Sequence, residues 1–310
     1  MHNDMTARRF VLMAGFAAAL LAPIAAPAAA QDIQQSRIKA AVTISILGDL
    51  VKNVGGDRVD VTTLVGADGD AHVYSPTPAD AKKVAAADIV FVNGLGLEGW
   101  MTRLVTASAT KAPMVIVSKG ITPRQMEDEE RRGRTVVDPH AWQSIADAKI
   151  YVANIRDGLV AIDPAGKAAY DANATVYLGK LDALESEVRT AIAAIPADRR
   201  KIITTHDAFG YFGAAYGMTF IAPDGLSTET EPSAKDVARI ITQIRRERIP
   251  AVFLENVSDP RLMQQIAHET GARIGGALYS DALSEPGGPA ATYIDMMRHN
   301  VREFTKALVG

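Results

Sequence analysis

The chain contains no cysteine. That absence excludes disulfides, thiolate metal ligands, a thiol nucleophile and a cysteine-linked lipid anchor. Aromatic residues are sparse, at 6%. Beyond the N-terminus no stretch is long and apolar enough to span a bilayer. Neither sign of charge dominates. The balance of 33 Lys and Arg against 36 Asp and Glu gives −3, which argues against a nucleic-acid partner. No HExxH and no GxSxG occurs, so the local signatures of zinc proteases and serine hydrolases are missing. No low-complexity tract or short-period repeat is present.

What is present begins with an export signal. Arg8 and Arg9 precede an apolar run, Phe10 to Ala26, that ends in Ala28-Ala29-Ala30. A basic segment, an apolar segment and a small-residue site describe a cleavable secretory signal over residues 1–30. An uncleaved anchor is the rival, but the run is short and rich in alanine. Arg8-Arg9 lacks the rest of a twin-arginine motif, so Sec export is the expectation. Cleavage leaves 31 basic and 35 acidic residues, a net −4. A 310-residue chain that is 48% hydrophobic can build a core large enough to stand without disulfides. The expected location is a bacterial periplasm.

From Ala40 onward strand-like and helix-like stretches alternate. Ala41–Ile46, Val59–Val65, Asp88–Val92 and Pro113–Val117 read as strands, and Leu47–Val54 as a short helix. Thr77-Pro78-Ala79-Asp80 opens a helix, with Thr77 as N-cap, Pro78 in the first turn and Asp80 at the positive end of the dipole. Thr122–Asp138 is charged in both signs without periodicity and reads as a solvated surface loop. Trp142–Gly158 is helical. Pro164–Ile195 is the longest helical pattern, with Tyr170, Val176, Leu178, Leu181, Leu184 and Val188 near helical spacing. At 1.5 Å per residue it would reach roughly 48 Å, enough to bridge two lobes.

The alternation then restarts. Strands are expected over Lys201–Thr205, Met218–Ala222, Ala251–Glu255 and Arg273–Leu278. Helices are expected from Ser233, as N-cap, to Arg248, over Pro260–Thr270 and over Ala290–Leu308. The fold class is α/β with mostly parallel sheets. One lobe covers 37–163, a linking helix 164–195, and a second lobe 196–310.

Three of the six histidines, His72, His140 and His206, stand 68 and 66 residues apart in loop settings, and Asp281 follows 75 residues later. Three imidazoles and a carboxylate make a complete tetrahedral shell for a borderline divalent metal. Two donors fall in each lobe. Several follow a strand, where ligands bind in open α/β sheets, so the expected site is the cleft between lobes. His268 and His299 lie in helical patterns among polar neighbours and read as surface histidines. The run Gly94-Leu95-Gly96-Leu97-Glu98-Gly99 matches GxGxxG, but the acidic residue that should close the next strand is missing. A tight turn is the better reading. A zinc hydrolase is the enzymatic rival, using the three histidines with Asp207, Glu229, Glu231 or Glu255 as base.

Several strings carry a resemblance. They are Asp70-Ala71-His72-Val73-Tyr74-Ser75-Pro76-Thr77-Pro78, Asn93 to Trp100, Asp138-Pro139-His140-Ala141-Trp142, Thr205 to Phe212, Glu231-Pro232-Ser233 and Tyr279-Ser280-Asp281-Ala282-Leu283. Together they resemble the zinc and manganese solute-binding proteins of ABC importers, in order and over the mature chain. The resemblance implies two α/β lobes joined by one rigid helix, a metal between them held by His72, His140, His206 and Asp281, and no catalysis. It also implies a membrane permease as partner, with the carrier expected as a monomer. Zinc members commonly carry a histidine-rich loop before the second histidine. Here that loop is histidine-free. It reads as a bland surface or, alternatively, as a docking point for a periplasmic zinc metallochaperone.

Three imidazoles and one carboxylate favour Zn2+ as cargo. Mn2+ prefers more oxygen donors, and manganese relatives resemble this pattern with Glu in place of the third histidine. A manganese or iron carrier is the second expectation.

Overall fold

Residues 38–44 (IKAAVTI) are mostly small or β-branched, and in the computed structural model they form a central, largely buried strand. Residues 37–127, 135–223, 225, 228 and 232–309 are described. The expected signal segment, the middle of the charged loop, Glu229 and Glu231 lie outside them.

The first lobe contains β1 (Ile38–Ile44), α1 (Ser45–Gly55), β2 (Val59–Val65), α2 (Pro78–Ala85), β3 (Ile89–Val92), α3 (Met101–Ser108) and β4 (Met114–Ile116). Its sheet is wholly parallel, in the order β2-β1-β3-β4. Central β3 is buried along its whole length, as a sheet covered on both faces requires. Edge strand β4 leaves Met114 and Ile116 exposed. Thr77 caps α2 as expected: its hydroxyl accepts from the Asp80 N–H while the Asp80 carboxylate accepts from the Thr77 N–H.

The charged loop departs from expectation. Its ends pair antiparallel as β5 (Gln125–Glu127) and β6 (Thr135–Val137). Three-residue strands flanking a charged run carry too little periodicity to be read. α4 (Ile145–Ile162) starts later than expected because Ser144 caps it, accepting from the Asp147 N–H.

α5 (Lys167–Ala193) is the long helix, 27 residues or roughly 40 Å. It is shorter than the sequence pattern because Pro164–Gly166 forms a separate tight turn closed by the Asp163 carboxylate. Its buried stripe runs Tyr170, Ala174, Tyr177, Leu181, Leu184, Val188 and Ile192. Val176 instead lies exposed on the outer face. α5 packs on α1 and α4 of the first lobe and on the last helix of the second.

The second lobe contains β7 (Lys201–Ile203), α6 (Gly210–Tyr216), β8 (Thr219–Ile221), α7 (Ala234–Glu247), β9 (Ala251–Glu255), α8 (Arg261–Thr270), β10 (Arg273–Leu278) and α9 (Tyr293–Val309). Its parallel sheet runs β10-β9-β7-β8, which repeats the first lobe's order from the opposite edge. β10 shifts register between Ile274 and Ala277. Gly275 permits the close approach there, since a Cβ would meet the Phe253 ring at 2.3 Å. One apolar core runs from the first lobe through α5 and α9 into the rings of Phe209, Phe212, Phe253 and Phe304. A smaller one, rich in isoleucine, lies under α7 and α8.

Candidate metal centre

The local backbone delivers each donor. His72 lies in the loop between β2 and α2. Its N–H donates to Asp70 Oδ1 at 2.8 Å, and Trp100 Nε1 donates to the neighbouring Ala71 carbonyl at 2.9 Å. The same Asp-x-His turn recurs after β6, where the His140 N–H donates to Asp138 Oδ1 at 3.0 Å. His206 follows β7, and its N–H and that of Thr205 both donate to Glu255 Oε1, at 3.0 and 2.7 Å. Asp281 follows β10. Trp142 Nε1 and Gln143 Nε2, from the first lobe, both donate to the Ser280 carbonyl at 2.8 Å. The peptide carrying Asp281 is thereby tied across the cleft.

All four expected donors come together. One ligand atom from each lies within 4.8 Å of the others. His72 Nε2 and His206 Nε2 each stand 3.1 Å from Asp281 Oδ2, and His140 Nε2 stands 3.6 Å from Asp281 Oδ1. The His72 and His140 Nε2 atoms are 3.2 Å apart. Zinc bonds of 2.0–2.1 Å would place tetrahedral ligand atoms about 3.3 Å apart, close to these four distances. His140, His206 and Asp281 are buried. Among the described residues, no backbone, hydroxyl or amide donor reaches either Asp281 oxygen; only imidazole nitrogens face them. Such a buried carboxylate calls for a cation at the centre.

Without metal, protons supply that charge. Burial pushes the His140 imidazolium down, but the Asp281 and Asp138 carboxylates outweigh it and hold the group up at about 9. Burial acts the same way on His206, yet Glu255 and Asp281 raise it well above the ordinary histidine range. Burial pushes the Asp281 carboxyl up, and the His206 and His140 charges hold it well below the usual carboxylate range. A divalent ion entering here displaces protons.

The remaining histidines take no part. His268 is exposed on α8. His299 is half-buried on α9 and donates through Nε2 to the Ala277 carbonyl at 2.9 Å. Of the bases considered for a hydrolase, Glu255 sits behind His206 rather than facing the centre, its Oε2 2.5 Å from His206 Nδ1. Asp138 stands likewise behind His140, 2.8 Å from its Nδ1. Neither backing role was read from the sequence. Asp138 was visible within its Asp-Pro-His string, and Glu255 as the end of a strand and as a candidate hydrolase base. The GxGxxG turn is filled from within: the Asn93 and Gly94 N–H groups and the Thr43 hydroxyl donate to Glu98, at 2.7, 3.1 and 2.7 Å. A cradle already holding a carboxylate has no room for a phosphate.

Two parallel βα lobes, a long helix and four convergent donors in the cleft define a metal-binding solute-binding protein. The chain belongs to the ZnuA family, the periplasmic component A of zinc-uptake complexes, which it matches over residues 41–307. It is therefore the substrate-binding part of an ABC importer, which acts with a membrane permease, and not an enzyme. It is 36% identical over 297 residues to the manganese-binding lipoprotein MntA of Halalkalibacterium halodurans, covering 94% of this chain and 97% of that one. It is 34% identical over 270 residues to the iron-binding protein YfeA of Yersinia pestis, covering 87% and 86%. Its fold is similar to the periplasmic zinc-binding protein TroA of Treponema pallidum, with a TM-score of 0.82 and 30% identity over 88% of this chain and 99% of that one.

Proposed function

We propose that this protein binds Zn2+ through Nε2 of His72, His140 and His206 and the carboxylate of Asp281, and delivers it to the permease of an ABC importer. The observation that carries this is the donor set itself. Three imidazoles and one carboxylate, within 4.8 Å of one another and with Asp281 3.1–3.6 Å from each imidazole, suit tetrahedral zinc. A carboxylate in the fourth position leaves no seat for a reactive water, which suits carriage. Protein isolated without added metal is expected to carry one zinc ion, and a competing chelator gives its affinity. Stoichiometric manganese or iron instead would overturn the zinc assignment.

One observation favours that second reading. Both Asp281 oxygens face the histidine nitrogens, so bidentate binding would give five donors. Relatives named for manganese and iron point the same way. Tight zinc binding in vitro does not separate the two, because zinc outranks manganese and ferrous iron in most such sites. The metal carried from the cell does.

The MntA relative is a lipoprotein. These 310 residues contain no cysteine to carry such a lipid, and among the described residues no helix is long and apolar enough to cross a membrane. We read cleavage after Ala30 as release into the periplasm, as a monomer. The metallochaperone reading rests on the charged loop, whose middle, residues 128–134, lies outside the described residues. Deleting residues 127–134 should slow transfer from such a donor without changing affinity for free zinc.

A further inference from the structure

Two of the three histidines are backed by carboxylates and one is not. His140 Nδ1 meets Asp138 Oδ1 at 2.8 Å, His206 Nδ1 meets Glu255 Oε2 at 2.5 Å, and these side chains are fully shielded from solvent. Each carboxylate also holds backbone. Asp138 Oδ1 accepts the His140 N–H, and Glu255 Oε1 accepts those of Thr205 and His206. Neither carboxylate can turn away without stranding a buried N–H. His72 differs. Among the described residues no carboxylate lies within ion-pair distance of its Nδ1, and its side chain keeps 7% exposure where the other two have none. Only its backbone turn is held, through Asp70.

A carboxylate on Nδ1 fixes the tautomer that aims Nε2 at the metal and makes that nitrogen a stronger donor. Resting on the metal-binding reading above, we infer that Asp138 and Glu255 are positioning residues that keep His140 and His206 preformed, and that His72 is the donor that engages last and leaves first. Metal would then pass the cleft on the His72 side, with His140, His206 and Asp281 as the retained set.

The test uses the mature protein, Zn2+ for affinity and Co2+ as the spectroscopic probe. In the Co2+-loaded wild type, two ligand Nδ1–H resonances should resist exchange with D2O and the third should exchange fast. Glu255→Gln and Asp138→Asn should each weaken Zn2+ by roughly 10–100-fold and shift or abolish one protected resonance while leaving the other. His72→Ala should release Co2+ to a chelator faster than wild type yet retain it better than His140→Ala or His206→Ala. Three resonances exchanging equally, or His72→Ala losing as much affinity as His206→Ala, would overturn the inference. The wild-type exchange measurement stands even if a carboxylate variant fails to fold. Wild-type protein that bound neither ion would instead overturn the metal reading itself, and this inference with it.

Discussion

The two lobes share a topology and use it differently. Each lays down four parallel strands in the same order, so β1 corresponds to β7, β2 to β8, β3 to β9 and β4 to β10. The donors do not correspond. In the first lobe they follow β2 and the β6 hairpin; in the second they follow β7 and β10. The end of β1 supplies Ser45, whose hydroxyl accepts the Leu283 N–H from across the cleft at 2.9 Å. The end of β3 leads into a turn filled by Glu98, whereas the end of β9 supplies Glu255 to back His206. A parallel sheet offers a row of strand ends on one side. Which of them carries chemistry is a matter of individual side chains, so the site is not a copy made twice.

The largest effect should come from removing either of the second lobe's two donors. His206→Ala or Asp281→Ala should weaken zinc binding by far more than the roughly 10–100-fold of an outer carboxylate, while His268→Ala stays at wild type. Competition titration measures all three. Wild-type affinity in His206→Ala would break the four-donor reading. Asp281→Ala should also speed chelator-driven release, since a water then fills the fourth position.

Next comes the core that the lobes share. Phe304 packs edge-on to Phe212 and Phe253 at 5.5 and 5.4 Å. Phe304→Ala should cost about 3–5 kcal/mol of metal-free stability by urea unfolding. Zinc affinity of the folded protein should stay near wild type, because no donor touches that ring.

The pH dependence separates bound from free. With His140 held at about 9, metal must displace a proton at neutral pH. Apparent zinc affinity should fall as pH drops below about 9, about tenfold per pH unit for each proton displaced. The metal-free protein shows the opposite trend. The folded-state value lies above the unfolded one of about 6.5, so the stabilisation is complete below that pH and lost as pH rises through about 9. Thermal unfolding between pH 6 and 9, with and without zinc, measures both. Flat affinity over that range would mean that the histidines do not bind the metal.

The smallest effects compare helix caps. Thr77→Ala removes half of a reciprocal box over a buried Asp80, whereas Ser233→Ala removes an exposed cap on α7. Both should lie within about 0.5–2 kcal/mol, with Thr77 the larger. Equal losses in thermal unfolding would show that the buried setting of the Thr77 hydroxyl adds nothing.

Much of this was legible from local pattern. Alternation of β-branched runs with helical stretches places the strands of both sheets, most clearly inner β3 and β9, whose buried positions are almost continuously apolar. Caps at Thr77 and Ser233 were readable because a cap is a contact across three residues. The β5–β6 hairpin and the tight turn before α5 were not. Three-residue strands have almost no period, and the turn at Pro164 continues a helical composition.

The sequence by itself determined which atoms could bind a metal: three imidazoles, one aspartate and no thiol. It also determined that no pair lay close enough to act locally. Only the tertiary structure decided that four residues spread over 210 positions meet within 4.8 Å, and that Asp138 and Glu255 stand behind two of them. It likewise moved the titration of His140 from an ordinary histidine value to about 9. The reason is physical. Donor chemistry belongs to a side chain alone, whereas coordination geometry, desolvation and the field of neighbouring charges exist only when distant segments share one buried volume.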